Sequence, residues 1–153
     1  MKKLHINPQK QAKVVEVIKP VSGEQVELPI FLESVSAGFP SPAEDYMEGK
    51  LDLNKYLIKN PSATFFVRVT GDSMINAGIY SGDILIVDRS LNPKDGSIVI
   101  AVIDSELLVK RMQYIKNKIY LSPENPKFEP IEITGEMNFE VWGVVTTVIH
   151  SVL

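Results

Sequence analysis

From Thr64 onward, apolar residues alternate with polar ones or form short unbroken blocks, which is the period of strands and not of helices. The pattern predicts strands at 65–69, 84–87, 98–103, 107–112, 119–121, 131–133 and 139–149. Ser81-Gly82-Asp83, Asn92-Pro93-Lys94-Asp95-Gly96 and Pro123-Glu124-Asn125-Pro126 supply turn chemistry between them. Many short strands with turn signals at close intervals predict a mainly β fold of curved antiparallel sheets. Ahead of this region, 13–18 and 26–32 also read as strands, parted by Pro20-Val21-Ser22-Gly23, and Pro29 demotes the second to an edge or extended segment.

Between these β stretches the signals change. Ser41-Pro42-Ala43-Glu44 has the N-cap, first-turn proline and third-position glutamate of a helix start, so a short helix is predicted near 42–48, ending at Gly49. Asp52 is placed to cap a second helix near 52–59, with Leu53, Tyr56 and Leu57 at the spacing of a buried stripe, and Asn60-Pro61 stops it.

At 153 residues with 44% apolar and 23% charged positions, the chain can bury its own core without covalent staples. It has no cysteine, which removes disulfides, thiolate nucleophiles and Cys-ligated metals. His5 and His150 lie near opposite ends without ligand spacing, so no metal or other cofactor is expected. A net charge of −3 argues against a domain whose main job is gripping phosphate backbones, and no direct sequence-specific DNA binding is expected. No apolar run reaches the roughly 20 residues of a membrane span, and polar residues follow Met1-Lys2-Lys3 where a signal peptide would be apolar. A cytoplasmic protein is expected.

Three stretches carry candidate chemistry. Ser73 follows the break of a strand at Gly71-Asp72, where a turn can hold a hydroxyl in a fixed, accessible position; a plain turn serine is the ordinary alternative. In Leu107-Leu108-Val109-Lys110-Arg111-Met112, strand alternation puts Lys110 with Leu108 and Met112, and Arg111 with Leu107 and Val109. One of the two cations can lie against an apolar layer, and periodicity does not decide which. A desolvated lysine loses its proton more easily and becomes a competent base, whereas a lysine snorkelling from an edge strand would be inert. Ser34-Val35-Ser36-Ala37-Gly38-Phe39-Pro40 is extended and small enough for another group to approach its backbone, or is simply a linker. Serine with a neutral lysine is a known form of nucleophile and base.

Taken together, Gly71-Asp72-Ser73-Met74, Ser81-Gly82-Asp83-Ile84-Leu85-Ile86-Val87-Asp88 and Val109-Lys110-Arg111 resemble the C-terminal domain of the LexA/UmuD self-cleaving family. Phe39-Pro40-Ser41-Pro42-Ala43-Glu44-Asp45-Tyr46, Leu51-Asp52-Leu53-Asn54, Asn60-Pro61-Ser62-Ala63-Thr64-Phe65-Phe66-Val67 and Val141-Trp142-Gly143-Val144-Val145 extend the resemblance from residue 34 to the end, towards the UmuD-type members. It implies the signal-peptidase-like fold of that domain over 38–153, preceded by an arm, 1–37, that is removed by self-cleavage. It further implies Ser73 as nucleophile, Lys110 as general base, Ala37–Gly38 as the bond cut, and the backbone N–H groups of Ser73 and Met74 as oxyanion donors. Stimulation by a RecA–single-stranded-DNA filament, a homodimer, and service to a UmuC-type translesion polymerase follow by the same resemblance, with the sliding clamp as a further candidate partner. UmuD-type members commonly have Cys before the scissile glycine, where this chain has Ala37, and the arm here is longer. An arm of this length cannot hold the three-helix DNA-binding domain of a repressor. A non-cleaving polymerase-interaction module and a LexA- or phage-type repressor fragment are the alternatives.

Overall fold

The computed structural model describes residues 11–21, 23, 25, 27–31 and 47–153. The chain divides into two compact units, one made of the described residues up to Pro20 together with Asn60–Leu153, the other within Val21–Lys59.

The larger unit is an eight-stranded antiparallel sheet built from β1 (Lys13–Ile18), β4 (Thr64–Thr70), β5 (Ile84–Asp88), β6 (Ile98–Ile103), β7 (Glu106–Ile115), β8 (Lys118–Ser122), β9 (Ile131–Glu132) and β10 (Phe139–Ile149). Its spatial order is β1-β4-β5-β10-β6-β7-β8-β9, and β1 pairs with β7 as well as with β4, which closes the first part of the sheet into a barrel. The predicted β class is therefore borne out, and each strand expected after Thr64 is present. Closure needs bending, and β10 supplies it with register shifts between Val141 and Gly143 and between Val145 and Thr147. At Gly143 an added Cβ would lie 2.5 Å from Val87 Cγ1, so glycine lets β10 pass tightly over β5.

Alternation along the strands sorts the core into two clusters. The first gathers Val67, Val69, Met74, Ile79, Leu85, Val87, Ile100 and Val109, and takes in Ala12 from the chain's N-terminal part. The second joins Val99, Ala101, Ile103, Leu108, Met112, Leu121 and Ile131. β7 therefore lies between two apolar layers, with its even-numbered residues facing one and its odd-numbered residues the other.

The smaller unit pairs β2 (Glu27–Phe31) with β3 (Met47–Asp52), from Glu27 opposite Asp52 to Phe31 opposite Met47. Pro29 is accommodated because each strand of a two-stranded sheet is an edge. The helix predicted near 42–48 is corrected here: Met47 and the residues after it are β3, and 41–46 lie outside the described residues. Pairing with β2 claims Met47 and Gly49, where the helix was expected to end. The second helix is α1 (Leu53–Leu57), shorter than predicted but capped as expected, with Asp52 Oδ1 accepting from the N–H groups of Asn54 at 3.0 Å and Lys55 at 3.4 Å. Its expected apolar stripe is not buried, since Leu53 is 54% and Tyr56 57% exposed.

Candidate active site

Ser73 lies just beyond the end of β4. Gly71 turns the chain there with φ of +98°, a conformation open to glycine and strained for other residues. The turn is pinned from the segment after β8. Asn125 Nδ2 donates to the Asp72 carbonyl at 2.9 Å, the Glu124 N–H donates to the Ser73 carbonyl at 2.8 Å, and the Asn76 N–H donates to the Glu124 carbonyl at 2.8 Å. Glu124 is itself held by Arg111, whose Nη1 also donates to the Gly96 carbonyl at 2.7 Å. A hydroxyl on a loop anchored at so many points is preorganised.

Lys110 is fully buried, as is Ser73. It sits on the face of β7 that carries Leu108 and Met112 and lies opposite Val99 on β6. The ambiguity between the two cations is thereby resolved: Lys110 lies against the apolar layer, while Arg111 turns to Glu124 and partial exposure. Burial pushes the Lys110 ammonium down from 10.5 to about 8, because removing water penalises the charged form.

The third component comes from the arm. Residues 11–14 run between β4 and β7, with Val14 opposite Val69 on β4, and Lys13 opposite both Thr70 on β4 and Leu108 on β7. The Ala12 N–H donates to Ser73 Oγ at 2.7 Å, and the Val109 N–H donates to the Ala12 carbonyl at 3.0 Å. Lys110 Nζ donates to Gln11 Oε1. Ser73 and Lys110 are thus brought to one dipeptide, Gln11-Ala12, and among the described residues they share no direct hydrogen bond. Ala37 and Gly38 lie outside the described residues, within the connection that leaves β2 at Phe31 and re-enters β3 at Met47.

Sequence reasoning missed Gln11, Ala12, Glu124 and Asn125. The last two stood in a stretch legible only as a turn. Gln11 and Ala12 immediately precede a strand-like run, and a strand must pair on at least one side; that was the available signal.

The family model Peptidase S24-like matches residues 29–146, and the chain belongs to that family of serine peptidases. Among curated relatives, it is 50% identical over 127 residues to Protein SamA of Salmonella typhimurium, covering 83% of this chain and 88% of that one. It is 44% identical over 127 residues to Protein MucA of Escherichia coli, covering 82% and 84% respectively. A LexA repressor from Dechloromonas aromatica is 40% identical over 129 residues, which span 84% of this chain and 63% of the repressor. The family resemblance carried by the motifs is borne out. Among the described residues, no helix is long and apolar enough to cross a membrane.

Proposed function

We propose that this chain cuts its own Ala37–Gly38 bond, with Ser73 as nucleophile and Lys110 as base. Ser73 Oγ attacks the Ala37 carbonyl carbon while its proton passes to the neutral Lys110 amine. The C–N bond then breaks, and Lys110 returns the proton to the departing Gly38 nitrogen. Water, deprotonated in turn by Lys110, releases residues 1–37 from the serine ester. The N–H groups of Ser73 and Met74 take the oxyanion; among the described residues neither donates elsewhere. Because substrate and catalyst share one chain or one dimer, a high effective concentration compensates for a modest nucleophile.

The observation that carries this reading is a buried lysine whose pKa has fallen to about 8, meeting the same dipeptide as a buried, turn-mounted serine. The family match and the UmuD-like relatives support the wider role. Cutting is stimulated by RecA–single-stranded-DNA filaments in the cytoplasm, and the shortened homodimer serves a UmuC-type translesion polymerase, with the sliding clamp as a further contact. Wild type should be cut at alkaline pH and faster with activated RecA filaments, whereas Ser73→Ala and Lys110→Ala should stay intact. An intact wild type under both conditions leaves a non-cleaving interaction module, a reading favoured by the strand that already fills the cleft.

A further inference from the structure

On the self-cleavage reading, the segment to be cut must reach both Ser73, just beyond the end of β4, and Lys110, on β7. The gap between those strands is filled by residues 11–14. Adjacent strands lie roughly 4.8 Å apart, so the gap between β4 and β7 holds one strand and not two. The occupant is also held in a way that spares it. Ser73 Oγ accepts the Ala12 N–H, so its lone pair points into the plane of that peptide, whereas attack requires approach to the face of a carbonyl carbon.

We propose that the gap between β4 and β7 is a binding site for an extended peptide with a central alanine, and that residues 11–14 are a resident ligand competing with the segment around Ala37. This rests on the self-cleavage reading above. The alanine preference follows from Ala12, which is 1% exposed and packed in the first core cluster beside Met74 and Val109. A larger side chain would have to displace core neighbours there, and Ser36-Ala37-Gly38 presents the same residue. Backbone bonding to Ser73 Oγ, Val109 and Val69 is indifferent to sequence, so either segment can make it.

Past Ala12 the resident strand is seated lightly. Beyond Ala12 none of β1 is buried, and Val15 and Val17 are 57% and 44% exposed after the register shift between Val14 and Glu16. The Lys13–Glu106 ion pair at 3.5 Å is exposed and worth little. A strand with so little burial opens well below the cost of global unfolding. Exchange of one alanine-centred segment for another then gates cutting.

The test compares full-length wild type with Ala12→Glu, whose carboxylate cannot be seated beside Met74. Two readouts are taken at pH 9: hydrogen exchange of the Val109 amide, which reports seating, and the rate of cutting at Ala37–Gly38. Ala12→Glu should lose Val109 protection and cut about fivefold faster or more, since occupancy of the site no longer taxes its substrate. A synthetic peptide of residues 8–18 added in trans should slow it again. Gln11→Ala, a gentler change that removes the Lys110 acceptor, should also speed cutting should Ala12→Glu aggregate. An unchanged rate with Val109 deprotected, or a Val109 amide already unprotected in wild type, overturns the competition while leaving self-cleavage standing. A deprotected Val109 with no cut product in either protein removes self-cleavage itself, and the competition with it.

Discussion

Gly71 passes so close to Gln11 that a Cβ on it would lie 2.0 Å from the Gln11 carbonyl oxygen and 2.9 Å from the Ala12 nitrogen. The contact is backbone on backbone, so no rotamer change relieves it. Gly71→Ala adds a strained φ to that collision. It should lower unfolding free energy by about 1–3 kcal/mol and deprotect the Val109 amide, as read by denaturant titration and hydrogen exchange. Wild-type stability with an intact Val109 amide would show that the arm does not approach Gly71 this closely.

Lys110 affects stability through its proton. Its folded pKa, about 8, lies below the unfolded value of 10.5, so between those values the unfolded chain holds more protons and stability rises with pH. Below pH 8 the full penalty, about 3 kcal/mol, is present; above 10.5 it is gone. Lys110→Met should therefore be more stable than wild type at pH 7, by about 1–3 kcal/mol once the lost bond to Gln11 is counted. The advantage should shrink from pH 8 to 10.5. Paired denaturation curves at both ends of this range check the sign.

The same proton sets the rate. Only the neutral amine can accept the serine proton, so self-cutting should climb about tenfold per unit below pH 8 and level off above it. A profile flat from pH 6 to 10 would remove Lys110 from the role of base.

Asn125 is buried, and its side-chain amide holds the Asp72 carbonyl. Asn125→Ala should cost about 1 kcal/mol through loss of this hydrogen bond, since Asp72 is exposed and water can replace the amide. It should slow cutting without moving the midpoint of the pH profile, because the serine loosens while the lysine is untouched. A shifted midpoint would mean that Asn125 acts on Lys110.

The β class, the strands after Thr64 and the turn that carries Ser73 were legible in the sequence because strand alternation and turn residues are local signals. The choice between Lys110 and Arg111 was not, since both faces of β7 are apolar and only the partners, Val99 on one side and Glu124 on the other, separate them. The helix near 42–48 was misread in part because a capping pattern says nothing of β2, whose pairing claims Met47. Ala12 was legible only as the residue before a strand-like run, with no sign of what it would pack against. An alanine in a polar stretch carries no periodicity, and its burial depends on β4 and β7, at least 50 positions away in the chain.

The most direct measurement is the intact mass of the products after wild type and Ser73→Ala are incubated at pH 9 and with activated RecA filaments. Wild type should yield a fragment beginning at Gly38 and a partner ending at Ala37, and Ser73→Ala neither. A new terminus elsewhere, or equal cutting of Ser73→Ala, would contradict the account.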